Sequence, residues 1–170
     1  MGSHFEFEQW VGSAIERVFL FFANPQNLPR IMPPSTGTKL VEMRLIPPPT
    51  SPQVADVIGL AGVGSEIVTS FRVIPVLPVR AQWTALITEF EWNHHFADIQ
   101  KKGPLKYFHH RHEFRAEMRD GVNGTRVRDL IDCEVGFGAF GEAAMRLFVS
   151  RELRNAFLYR QQALVNLLAV

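Results

Sequence analysis

The chain has 170 residues, 46% of them hydrophobic, with 18 Lys and Arg against 17 Asp and Glu. This length fits a single domain, residues 1–170, and the near-zero net charge excludes a chain that binds nucleic acid mainly through a basic surface. No stretch reaches the roughly 20 apolar residues of a membrane helix, and the lone Cys133 predicts no disulfide and a reducing, cytoplasmic location.

The N-terminal segment alternates apolar and polar residues over about 4–11, which predicts a strand. Ser13 and Glu16 have the spacing of a capping box and predict that a short helix follows. The prolines of Asn24-Pro25 and Pro33-Pro34 interrupt the pattern. We therefore expect two short helices after the first strand.

The middle of the chain is rich in β-branched and aromatic residues and predicts six further strands. They fall at about 36–46, 66–74, 80–90, 92–100, 104–118 and 125–135. The glycine-containing connections between the last three strands are typical of hairpins, so these strands should be antiparallel neighbours. The segment 47–64 holds four prolines and three glycines and predicts a loop with one helical turn.

A helical pattern of roughly 27 residues ends the chain, with apolar residues recurring at intervals of three and four. Together the elements predict an α+β fold in which a curved antiparallel sheet covers this helix. The uncharged end, 164–170, predicts burial at a homodimer interface or against a partner domain, which leaves a protein-interaction module as the weaker functional alternative.

Four residues of the penultimate strand carry the main functional signal. Alternation sends Phe108, His110, His112 and Phe114 to one face of that strand, so two imidazoles point into an aromatic interior.

The neighbouring strands add candidates to this face. A three-residue hairpin loop at 101–103 would place His94 opposite His110 and Phe96 opposite Phe108. The following hairpin would bring Asp129 near the second imidazole of the strand.

Three interpretations of His94, His110 and His112 stay open. They are hydrogen-bonded interior residues, or they orient the polar group of a mostly apolar ligand. Alternatively, His110 or His112 is a general acid or base whose ring Asp129 holds. The apolar surroundings, without a clear third ligand, argue against a metal site, and no cofactor is predicted.

Arg160 lies within the apolar stripe of the last helix, where a guanidinium needs a partner. One explanation is an ion pair with Asp98, Asp129 or Asp132, and the other is an anionic group on a ligand.

Several motifs resemble the START-like or Bet v 1-like superfamily, within it the polyketide cyclase and dehydrase branch. They are Phe22-Ala23-Asn24-Pro25, Leu28-Pro29-Arg30-Ile31-Met32-Pro33, Phe96-Ala97-Asp98-Ile99-Gln100-x-x-Gly103-Pro104-x-Lys106-x-Phe108-x-His110-x-His112-x-Phe114, Gly124-Thr125 with Asp129, and Phe157-x-Tyr159-Arg160. The resemblance covers essentially the whole chain.

This resemblance implies a helix-grip fold, with a seven-stranded antiparallel sheet wrapped around the C-terminal helix and a cavity between them. It implies a carrier or sensor of a hydrophobic small molecule such as a lipid, polyketide, quinone or isoprenoid, or else a cyclase or dehydratase. The residues expected to line the ligand site are His94, Phe96, Phe108, His110, His112, Phe114, Phe157 and Arg160.

Overall fold

The computed structural model describes residues 2–50, 58–72, 79–136, 138, 143 and 148–168. The strands are β1 (Ser3–Val11), β2 (Lys39–Arg44), β3 (Glu66–Arg72), β4 (Arg80–Glu91), β5 (His95–Lys102), β6 (Tyr107–Arg119) and β7 (Val122–Glu134). The α-helices are α1 (Ile15–Ala23) and α2 (Ser150–Leu168), and two 3-10 helices span Pro25–Ile31 and Pro34–Thr36.

All seven strands form one antiparallel sheet in the order β1-β7-β6-β5-β4-β3-β2. Helix α2 packs on the same face of the sheet as α1. Helix α1 and the 3-10 helix Pro25–Ile31 follow β1, where two short helices are predicted, and the single 3-10 turn Pro34–Thr36 comes after them. The predicted α+β helix-grip architecture is therefore confirmed. Among the described residues, no helix is long and apolar enough to cross a bilayer.

The start of α1 differs from the capping-box prediction. Ala14 is the N-cap residue and no side chain caps the helix, because Ser13 is buried and its carbonyl accepts a hydrogen bond from Thr125 Oγ1 at 2.8 Å. Asn24 caps the next segment instead, since its Oδ1 accepts from the backbone N–H of Gln26 at 3.0 Å. Tertiary contact with β7 thus overrides the local capping signal.

The hairpin between β6 and β7 forms where its turn residues predict it. Asp120 and Gly121 connect β6 to β7 with φ of 49° and 77°, the positive values that a tight two-residue turn requires. In the 47–64 loop, Ile58 and Gly59 form a turn, and the remainder of the predicted helical turn falls on residues 51–57, outside the described ranges.

The core lies between the sheet and the helices. Phe19 of α1 is fully buried and packs edge-on against Phe114, with the ring centroids 5.0 Å apart. From α2, Leu164 and Leu168 enter the same cluster. These two residues of the uncharged C-terminal end pack within the chain, whereas Val165 is 43% exposed and residues 169–170 lie outside the described ranges. The homodimer stays a prediction. The predicted start of this helix near residue 142 lies outside the described residues.

Candidate functional site

Strand β6 directs alternate side chains into the interior, as its sequence predicts. Phe108, His110, His112 and Phe114 are all buried, while the residues between them are only partly buried. Since two of the four are imidazoles, polar groups on neighbouring elements must meet them.

Asp129 of β7 supplies this partner. It lies directly opposite His112 in the sheet, with Oδ1 2.6 Å from the Nδ1 atom. The same oxygen lies 3.0 Å from His110 Nε2 and forms a hydrogen bond with it. The shorter approach is not aligned as a hydrogen bond, and His112 Nδ1 has no hydrogen-bond partner in the described part of the chain. One carboxylate oxygen therefore lies within 3.0 Å of a nitrogen atom of each imidazole and accepts a hydrogen bond from His110.

Helix α2 adds a positive charge to the same oxygen. Arg160 Nη1 lies 3.3 Å from Asp129 Oδ1, and the guanidinium stands over the rings of Phe22 and Phe157, 4.9 Å and 5.2 Å from their centroids. Of the three carboxylates considered for Arg160, this one makes the contact, whereas Asp132 pairs with His4 at the surface at 2.8 Å.

Strand β5 contributes Asp98 rather than the predicted His94. Asp98 lies opposite His110, with Oδ2 3.9 Å from Nδ1, and Phe96 lies opposite His112. The predicted register, with Phe96 opposite Phe108, is wrong.

The register error comes from the connection between β5 and β6. Strand β5 runs on to Lys102, and the connection spans 103–106, where Leu105 exchanges two hydrogen bonds with the Gln100 side chain. The hairpin therefore turns around Pro104 instead of Lys102. His94 lies outside the strand with its side chain 65% exposed, and the structure does not bring it to the buried cluster.

Burial and charge give the ionisable groups different protonation preferences. Burial opposes ionisation of Asp129, but the positive charge of Arg160 and the two imidazoles outweigh it and hold its pKa well below the usual range. Burial raises the pKa of Asp98, against the attraction of His110. Burial, together with the neighbouring His110, lowers the pKa of His112 to about 3. At neutral pH the cluster thus holds an Asp129–Arg160 ion pair beside a neutral His112.

Aromatic rings surround these polar groups. Phe96 lies 4.5 Å from the His112 ring and Phe157 lies 5.8 Å from the His110 ring, measured between centroids. Phe157 also stacks on Phe7 of β1 at 4.1 Å. Phe22 is absent from the predicted site residues, and Asp98 is predicted only as a possible partner of Arg160, although both lie in the segments that carry the family resemblance.

A separate concave region of about 770 Å³ lies on the opposite, outer face of the sheet. Its lining residues are Glu6, Glu8, His94, Glu113, Phe114, Arg115, Arg126 and Arg128. The acidic and basic side chains there pair across the strands, as in Arg128–Glu6 at 2.7 Å and Arg126–Glu8 at 3.6 Å. Apart from Phe114, which is buried on the inner face, the lining side chains of the strands point away from the Asp129 cluster, because alternation sends successive side chains to opposite faces.

Two groups of described residues have metal-binding composition and spacing. Asp98, His110 and His112 form one group inside the buried cluster, so a third ligand is present there, contrary to the expectation from sequence. Glu91, His94 and His95 form the other at the exposed turn between β4 and β5.

Comparison with known proteins gives structural likeness only. No protein-family model and no curated protein matches the chain. Protein CV1439 from Chromobacterium violaceum is 11% identical with a TM-score of 0.65, over 99% of both chains. An aromatase/cyclase from Streptomyces is 11% identical with a TM-score of 0.64, over 98% of this chain and 93% of that one.

A plant enzyme gives a similar likeness. Norcoclaurine synthase from Thalictrum flavum, in complex with dopamine and hydroxybenzaldehyde, is 14% identical with a TM-score of 0.61, over 100% of this chain and 90% of that one. Such identities carry the fold and not the activity.

Proposed function

We propose, from the helix-grip fold that the chain shares with START-like and Bet v 1-like proteins, that it binds a hydrophobic small molecule between the sheet and α2, as a carrier or sensor. The observation that supports this most directly is the Asp129 cluster. A carboxylate, two imidazoles and the Arg160 guanidinium meet inside an aromatic surround, which is the make-up of a ligand site with a few convergent polar groups.

The polar end of the ligand should be a hydrogen-bond acceptor. Arg160 Nε is buried and has no hydrogen-bond partner among the described residues, while Nη1 contacts Asp129. An unmet buried donor costs about 1–3 kcal/mol, so a carbonyl, hydroxyl or carboxylate oxygen placed there would be stabilised.

The rest of the ligand should be apolar. Phe22 and Phe157 flank the guanidinium, and Phe96 covers the imidazole of His112. Such rings offer contact surface without a hydroxyl that needs a partner. A lipid, polyketide, quinone or isoprenoid with one oxygen-bearing end fits this environment, and the Thalictrum enzyme with the same fold binds two small aromatic molecules.

The first test is extraction of the purified protein with organic solvent, followed by mass spectrometry. Two fluorescent probes then isolate the role of the guanidinium: anilinonaphthalene sulfonate, which is anionic, and its uncharged counterpart phenylnaphthylamine. Arg160→Met should weaken binding of the sulfonate about tenfold or more, because a charge-assisted hydrogen bond is lost, and should change binding of the neutral probe little.

The matched control is Arg154→Met, since Arg154 is exposed on the same helix. It should leave both probes unaffected. If no apolar compound is extracted and the folded protein binds neither probe, the binding proposal is wrong. If Arg160→Met and Arg154→Met lost affinity for the sulfonate equally, Arg160 would not be part of the binding site.

A cyclase- or dehydratase-type enzyme is a second candidate, favoured by the arrangement around His110. With its Nε2–H donated to Asp129, Nδ1 carries the lone pair and faces Asp98. His112 is a poor base because its pKa is lowered to about 3, so the role of general base belongs to His110.

The proton balance of a dehydration can be met by these two groups. His110 would take a proton from the carbon next to a carbonyl, and the protonated form of Asp98, which burial favours by raising the pKa of this carboxyl, would donate its proton to the leaving hydroxyl. The electrons of the broken C–H bond form the double bond and water leaves. The proton on the imidazole then returns to the carboxylate across the gap of 3.9 Å, restoring the starting state.

The aldol adduct of acetone and benzaldehyde is a suitable probe, because loss of water gives a conjugated enone with strong near-ultraviolet absorption. The wild type should accelerate this loss, His110→Gln should abolish the acceleration, and Arg154→Met should retain it. If the wild type is inactive on this probe, or if His110→Gln is as active as the wild type, the enzymatic candidate fails while the binding proposal stands on its own test.

A further inference from the structure

The turn between β4 and β5 carries a cluster of histidine and carboxylate side chains away from the buried site. We propose that Glu91, His94 and His95 form a binding site for a divalent transition metal of the Zn²⁺ type. These side chains take no part in the proposed ligand site, so the two proposals stand or fall separately.

The three candidate ligand atoms converge to the spacing of a coordination shell. His94 Nδ1 and His95 Nδ1 are 2.9 Å apart, and each lies 3.5 Å from Glu91 Oε2. Atoms bound tetrahedrally to one zinc ion at about 2.1 Å are separated by about 3.4 Å. An ion at that distance from all three atoms would sit roughly 0.8 Å out of their plane, with its fourth position open.

The local chain geometry holds this arrangement. Glu91 ends β4 and His95 begins β5, and the carbonyl of Glu91 accepts a hydrogen bond from the N–H of His94 at 3.1 Å. Asn93 between them takes the left-handed conformation, with φ of 57°. The turn is therefore an ordered part of the hairpin, and it brings side chains that are three and four residues apart to one point.

The surroundings of His95 resemble the outer shell of a metal site. Its second ring nitrogen, Nε2, lies 3.3 Å from Glu89 Oε2. A ligating histidine usually donates its other N–H to a carboxylate, which fixes the tautomer and aims the remaining lone pair at the metal. With the proton of His95 on Nε2, beside this carboxylate, the lone pair would lie on Nδ1, the atom that faces His94 and Glu91.

Access and ligand chemistry both favour zinc over the hard cations. The side chains of Glu91 and His94 are 64% and 65% exposed, while that of His95 is 14% exposed and so is anchored by its neighbours. Two imidazoles and one carboxylate suit Zn²⁺ or Cu²⁺, whereas Mg²⁺ and Ca²⁺ prefer oxygen ligands. His94 also lines the concave region on the outer face of the sheet.

The experiment is a calorimetric titration of Zn²⁺ into protein first treated with a chelator, followed by substitution with Co²⁺, whose visible absorption reports tetrahedral geometry. The wild type should bind one ion per chain with a dissociation constant in the micromolar range or below. His94→Gln and Glu91→Gln should each weaken binding at least about tenfold, and Glu89→Gln, acting through His95, about 10- to 100-fold.

Two sets of controls make the result decisive. His4→Gln changes an exposed histidine at another edge of the sheet, and Asp98→Asn alters the other group of metal-binding composition. Both should bind Zn²⁺ like the wild type. Absence of stoichiometric binding, or unchanged binding in His94→Gln, would overturn the proposal. A loss confined to Asp98→Asn would assign the ion to the buried cluster and would equally overturn it.

Discussion

Asp129 Oδ1 lies 2.6 Å from His112 Nδ1, and the same oxygen is approached by His110 and Arg160. A single buried carboxylate therefore joins two strands of the sheet to the C-terminal helix. Since a buried charge is tolerated only when it is paired, the four side chains depend on one another for their charge states as well as for their positions.

Replacing Asp129 with Asn should lower the free energy of unfolding by about 3–5 kcal/mol, because Arg160 would be left as a buried charge without its counter-ion. Urea denaturation measures this. The control is Asp132→Asn, whose surface pair with His4 involves a side chain that is 49% exposed, and which should cost no more than about 1 kcal/mol. Equal costs would mean that the buried pair has no special role in stability.

Stability should fall as the pH is lowered from about 6.5 toward 3, the ordinary and folded pKa values of His112. Between these two pH values the His112 imidazole is protonated in the unfolded chain but neutral in the folded chain. Lowering the pH therefore favours unfolding, by a few kcal/mol over the whole interval. Asp129 acts in the same direction at lower pH, because its folded pKa lies below its unfolded value of 3.8. Asp98 acts in the opposite direction, since its folded pKa is raised.

The measurement is the free energy of unfolding from urea titrations across this pH range. His112→Gln should reduce the slope, while His4→Gln, at an exposed histidine, should keep it. A slope that His112→Gln leaves unchanged would show that another group causes the acid sensitivity.

Phe157→Ala should destabilise the protein by about 3–5 kcal/mol, because it removes a buried ring that stacks on Phe7 and packs beside His110. Thermal and urea unfolding both report the loss. The adjacent Leu158 is 65% exposed on the same helix, and Leu158→Ala should change stability by no more than about 0.5 kcal/mol. Similar effects at both positions would contradict the observed orientation of α2.

Gly124→Ala should destabilise the sheet by about 1–3 kcal/mol, because a Cβ at this buried position of β7 would lie 2.4 Å from the ring of Trp10. The indole would have to move, which would break its hydrogen bond from Nε1 to the carbonyl of Glu117 at 3.0 Å. Tryptophan fluorescence and urea unfolding measure the two effects. Gly2→Ala, whose Cβ would have 3.8 Å of room, is the control and should be neutral.

Some parts of the fold and site could be predicted from local sequence. The two-residue period of β6 correctly predicts that His110 and His112 face inward, and the turn residues Asp120 and Gly121 fix the β6–β7 pairing that brings Asp129 opposite His112. Both signals are local, since each depends on residues that are neighbours in the chain.

Other parts depend on contacts between distant residues. The capping box at Ser13 fails because Thr125, 112 positions away, holds that residue's carbonyl. The pairing of β5 with β6 fails because the connection turns around Pro104, so that Asp98 rather than His94 reaches His110. A change in the residue at the centre of the turn shifts the register, so every residue of one strand faces a different partner on the other. The hydrophobic periodicity within each strand does not predict this shift.

The sequence by itself determined the order of elements, the inward face of β6 and an α+β arrangement with an antiparallel sheet over the last helix, because alternation, helical periodicity and turn chemistry depend on neighbouring residues. The resemblance of its motifs to a known superfamily implied the helix-grip fold. Only the tertiary structure decided which charges meet. It paired Arg160 with Asp129, left Asp132 at the surface, and moved His94 to an exposed turn beside His95. The reason is physical: the energy of an ion pair or a coordination shell depends on distances of a few ångströms, and those are set by the register and packing of the whole sheet.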